Sequence, residues 1–117
     1  MDSERREALL RVDEASNSDY SQRLSRLFLE DSSARLDRIR ELLEVGDSEQ
    51  IAREAHALQG GCGQIGASTM MALCSNLEDT AWAGELDDVE ELLIRISGEF
   101  DFVHQTLTEG SGSQLDS

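Results

Sequence analysis

The sequence predicts an all-α protein: an antiparallel up-down four-helix bundle with a short additional N-terminal helix. Three observations predict it. The chain has no proline, 4% aromatic and 30% charged residues, whereas sheet proteins draw on aromatic and β-branched residues and on turn prolines. Its apolar residues recur at spacings of three and four over four long stretches, the period of one helix face. Short glycine-containing connections separate those stretches, which makes neighbours in sequence antiparallel neighbours in space. At 117 residues the chain is one domain in length.

Residues 3–15 carry Leu9, Leu10 and Val12 behind a Ser3 cap and form the short first helix, ended by a turn at Asn17, Ser18 and Asp19. The next helix covers 20–45, with Leu24, Leu27, Phe28, Leu36, Ile39, Leu42 and Leu43 as its inner positions and Gly46 as its stop. Asp47 then caps a third helix by accepting from the amide of Gln50, which reaches back in return. The inner stripe of that helix is Ile51, Ala55, Leu58, Cys62 and Ile65, and Gly66 closes it. Residues 68–83 give Met70, Leu73, Cys74, Leu77 and Ala81 before Gly84, and Val89, Leu93, Ile96, Phe100, Val103 and Leu107 mark the last helix from Leu86. Periodicity ends there, so the sequence divides into an N-terminal cap at 1–17, a bundle at 18–108 and a tail at 109–117 expected to be disordered.

Charge excludes several function classes. A formal net charge of −15 repels nucleic-acid backbones and anionic membrane surfaces, so neither is an expected partner. All ten basic residues are arginine, which removes lysine nucleophiles and Schiff bases. Cys62 and Cys74 lack the paired spacing of a zinc site and read as small apolar residues of a reducing compartment. With no export signal and no apolar stretch long enough to span a bilayer, the expected location is the cytoplasm.

One stretch interrupts this regularity: AHALQGGCGQIGA, residues 55–67. Gly60, Gly61 and Gly63 fall inside a helix, where each costs roughly 1 kcal/mol relative to alanine and the three together on the order of 3 kcal/mol. Such a cost points to a surface kept bare for function. Taking His56 as zero, the apolar stripe centres roughly 145° away, so the imidazole faces outward. Ala52, Gly60 and Gly63 share its side of the helix, and Arg53 and Gln59 flank it about 60° to either side. Glu78 sits at the same height in the antiparallel hairpin. It is placed either to accept from the imidazole N–H, fixing the tautomer, or to stand as a solvated carboxylate.

The stretch resembles the signature of histidine-containing phosphotransfer (HPt) domains, H-x-L-K-G-S-x-x-x-φ-G-A with φ apolar, through His56, Leu58, Gly60, Ile65, Gly66 and Ala67. The resemblance extends over 18–107, including FLED at 28–31, the Gly46–Asp47 turn and LCSNLED at 73–79. It implies a four-helix bundle in which Nε2 of His56 accepts a phosphoryl group from a receiver-domain aspartate and passes it to another. It also implies that the partners are receiver domains of response regulators and hybrid sensor kinases, that the receiver supplies Mg²⁺, and that the chain, a monomer, has no cofactor or ATP site of its own. Gln59 stands where the family carries lysine and Gly61 where it carries serine, which predicts slower transfer or a narrower choice of receivers.

Other readings carry less. GCGQIG at 61–66 fits a dinucleotide-loop expression but lacks the strand that such a loop follows. His104 reads as structural or solvated, Trp82, Met70 and Met71 as packing residues of which an exposed member could contact a partner, and the acidic excess as solvated helix face, with a lesser role in selecting receivers that bear basic patches. Two rival classes remain: a scaffold that keeps the bundle without the chemistry, and an ATP-dependent kinase, for which no nucleotide loop is visible.

Overall fold

The computed structural model describes the backbone of residues 19–116 and the side chains of 20–109. The short helix predicted at 3–15 lies outside the described residues. Four helices follow: α1 (Asp19–Val45), α2 (Ser48–Ile65), α3 (Ser68–Trp82) and α4 (Leu86–Asp116). The α2–α3 pair has the most extensive contact, α1–α2 and α3–α4 come next, and α1 against α4 closes the bundle most lightly.

The three connections are built alike. Gly46, Gly66 and Gly84 have φ of 77°, 81° and 75°, a left-handed conformation that glycine adopts without steric cost. In each, the residue after the glycine sends its N–H back five positions: Asp47 to Leu42, Ala67 to Cys62 and Glu85 to Thr80, at 3.0 to 3.2 Å. This closure satisfies carbonyls that the helix end leaves orphaned and turns the chain sharply enough to make each pair antiparallel. Asp47 caps α2 as predicted, its Oδ1 accepting from Gln50 N at 3.2 Å.

The predicted stripe of α2 is buried throughout, and Met70, Cys74, Leu77, Ala81, Val89, Ile96 and Val103 join it in the core. On α1 the inner face differs from the apolar reading. Ser21, Ser25 and Ser32 are buried beside Phe28, Leu36 and Ile39, whereas Leu27 is 55% exposed. Serine fills three inward positions that a reading by hydrophobicity skips. Two arginines of α1 also clamp Glu54 of α2, Arg35 at 2.8 Å and Arg38 at 3.2 Å. Cys62 and Cys74 are free and buried, and hydrogen bonding to Cys62, helped by burial, pushes the Cys74 thiol well above its ordinary range.

α4 continues to Asp116, past Leu107, where the apolar periodicity of the sequence ends. Extending a helix already anchored in a bundle adds one hydrogen bond per residue without a new nucleation step.

Candidate phosphotransfer site

His56 sits mid-way along α2 with its side chain 74% exposed. Its Nδ1 lies 3.2 Å from Oε2 and 3.3 Å from Oε1 of Glu78 on α3. Gln59, one turn after His56, donates its Nε2 hydrogen to the same Oε1 at 2.5 Å. The Gln59 amide is the foremost influence holding the Glu78 carboxyl below its ordinary range, with the imidazole and the Trp82 indole adding to it and burial opposing. An ionised carboxylate facing Nδ1 calls for a proton on that nitrogen, which leaves Nε2 of a neutral ring with its lone pair directed to solvent.

Arg53, one turn before His56, completes the surround. Its guanidinium is 3.2 Å from Glu49 Oε1 and its Cζ lies 5.8 Å above the centre of the Trp82 ring. Arg53, His56, Glu78 and Trp82 line an open depression of about 350 Å³. Sequence reasoning placed Trp82 in the packing, yet it is 52% exposed. The available signal was its spacing: Trp82 follows Glu78 by four residues and therefore shares its helix face. Met71 is likewise more exposed than a packing residue, at 38%. His104 behaves as expected, exposed, with Nδ1 3.5 Å from Thr108 Oγ1 and its ring edge-on to Phe100.

The small residues around His56 divide into three kinds. A Cβ added at Gly60 meets nothing within 4 Å, and one at Gly63 meets only the Met71 sulfur at 3.6 Å, so both keep the surface bare without being required by the chain's own packing. Ala52 departs from the predicted bare strip, since it is fully buried. It lies about 40° from His56 on the side that also carries Gln59, where α3 covers the helix. Gly61 lies against the Phe28 ring: a Cβ there would stand 3.4 Å from Cδ1 and 3.6 Å from Cε1 of Phe28, ordinary van der Waals contact, so packing does not by itself require glycine at this position. Beside it, Leu24, Leu27 and Phe28 of α1 and Gly61 and Gln64 of α2 frame a second open groove, of about 230 Å³.

The family model for the Hpt domain matches residues 23–106, most of the chain, including His56 and the residues that surround it. The chain belongs to the Hpt family. Among solved structures it is similar to the crystal structure of histidine-containing phosphotransfer protein B (HptB) from Pseudomonas aeruginosa PAO1, with 28% identity, a TM-score of 0.80, and coverage of 88% of this chain and 89% of that one. No curated protein sequence gives a match. As an Hpt domain the protein is a histidine phosphotransfer component of a phosphorelay, a phosphocarrier rather than a kinase, and it works with receiver domains. Among the described residues no helix is long and apolar enough to cross a membrane.

Proposed function

We propose that His56 is the phosphoryl acceptor, taking the group on Nε2 from a receiver aspartyl phosphate and returning it to a second receiver aspartate. The observation that carries this reading is the exposed imidazole held at Nδ1 by Glu78 at 3.2 Å. In the forward step the Nε2 lone pair attacks phosphorus, the P–O bond to the aspartate breaks, and the aspartate leaves as a carboxylate with the bonding pair. No proton need leave the ring. The phosphorylated imidazole keeps Nδ1–H and is positively charged, and the Glu78 carboxylate stands against that charge. Reversal regenerates the neutral ring.

Positioning is the helix's share of the work and transition-state electrostatics are the receiver's. Glu78 is the lone carboxylate lining the depression and already faces Gln59 and His56, which leaves too few oxygens for a magnesium site here. In this reading the receiver supplies Mg²⁺. The partners in this reading are receivers of response regulators and hybrid sensor kinases, and the protein acts in the cytoplasm as a monomer, without an ATP site of its own.

Incubation with a radiolabelled phosphorylated receiver tests the proposal. The expected product is an acid-labile, base-stable phosphate on the protein that is absent from His56→Gln. Failure to label the wild-type chain with any receiver of the source organism, or labelling that persists in His56→Gln, overturns it. ATP alone is expected to give no turnover.

A further inference from the structure

We propose that Arg53 is the phosphoryl-binding cation of this protein, stored across the Trp82 ring and drawn onto the phosphoryl group when His56 is modified. This inference rests on the reading of His56 as acceptor.

A phosphoryl group on Nε2 carries about two negative charges on its oxygens, only one of them offset by the positive ring, on a chain whose formal charge is already −15. Glu78, on the same side, adds repulsion. A counter-cation therefore has to come from the residues around the ring, and Arg53 is the cation among the four that line the depression. Gln59 does not serve, being neutral and engaged with Glu78 Oε1. Arg53 precedes His56 by three residues, so the two side chains are neighbours on one helix face. Helical side chains also lean toward the N-terminus, which carries the imidazole over the turn that bears Arg53.

What holds Arg53 at rest is weak and replaceable. Its ion pair with Glu49 joins two exposed side chains at 59% and 61%, a kind of contact that contributes little in water. Its seat over Trp82 is a surface cation–π contact. A phosphoryl group offers three acceptor oxygens and about twice the charge of one carboxylate, and the planar guanidinium matches it with two parallel N–H donors. Trp82 thus keeps the guanidinium beside the imidazole before the phosphoryl group arrives, and the move uncovers its ring.

Trp82 is the chain's single tryptophan, so its emission reports the move directly. The test phosphorylates the intact protein with phosphoramidate, a small-molecule phosphoryl donor, while following Trp82 emission, and measures initial transfer from a phosphorylated receiver in parallel. In the wild type, emission is expected to change with the same time course as His56 labelling. In Arg53→Gln the emission change should vanish, and transfer should slow by about ten-fold, as expected for loss of one hydrogen bond to a charged group. Arg53→Lys should recover part of the rate through its charge. Unchanged circular dichroism and melting of both variants show that the fold is intact, as the exposure of Arg53 leads us to expect. A wild type labelled on His56 with no emission change, or an Arg53→Gln variant that transfers at the wild-type rate, overturns the proposal and leaves His56 as acceptor untouched. Absence of His56 labelling in the wild type overturns the acceptor reading itself.

Discussion

The two sides of His56 are built on opposite plans. Toward α3, Gln59 and Glu78 form a hydrogen-bonded seam that grips Nδ1. Toward α1 the surface is stripped: Gly60 has open space where a side chain would stand, and beyond it lie Gly61, the exposed Leu27 and the shallow groove they share. One side fixes the direction of the nucleophile and the other leaves room for what it attacks. A phosphocarrier needs both, because its imidazole must be oriented by its own chain yet reached by the acidic active site of another protein.

Removing the fixed side should have the larger effect. Glu78→Ala is expected to lower the rate of transfer from a phosphorylated receiver on the order of ten- to hundred-fold, since misplacing a reacting atom by about 1 Å costs that much. Rapid-quench kinetics would read it, and an unchanged rate would mean that the seam does not orient the ring.

Filling the bare side should come next. Gly60→Leu is expected to slow transfer by about ten-fold through blocked approach, while leaving melting unchanged or raised, because a helix-interior glycine costs roughly 1 kcal/mol relative to other helix formers. Gly60→Ala separates the two effects by stabilising the fold with little change in transfer. A leucine variant that transfers normally would show that receivers do not pass over this strip.

Acidification sharpens the contrast in the smallest increment. Glu78 is held below its ordinary range in the folded state, chiefly by Gln59. A carboxyl whose folded pKa lies below its unfolded one binds fewer protons when folded, so its contribution is present above the unfolded pKa and is lost as pH falls through the folded one. Melting temperature should therefore drop less steeply in Glu78→Gln than in the wild type below the ordinary carboxylate range. Equal slopes would indicate that the seam adds nothing to folding.

How much of this was legible in the sequence follows from the kind of signal each part leaves. Helix ends were readable because glycines at 46, 66 and 84 and the Asp47 cap each mark one. The α2 stripe was readable because the buried positions are apolar. The inner face of α1 was not, since Ser21, Ser25 and Ser32 take places that a hydropathy reading assigns to leucines, and Leu27 is left outside. Around His56, helical angle places Arg53 and Gln59 and hairpin register places Glu78 beside the ring, but angle puts Ala52 on the open strip, because a helical wheel does not say where the neighbouring helix begins to cover it. Trp82 was missed for the converse reason: its size suggested the core, and its exposure follows from an α3 that ends at that residue.

The shared design of the three turns also has a kinetic meaning. Each joins helices adjacent in sequence, and the most extensive pairing, α2 on α3, is the one that holds His56 against Glu78 across only 22 residues of chain. Bundles dominated by such local contacts fold in roughly microseconds to milliseconds, and a short span closes at low entropic cost. The pair at the heart of the site lies within a single hairpin, so its geometry depends least on the lightly closed seam between α1 and α4.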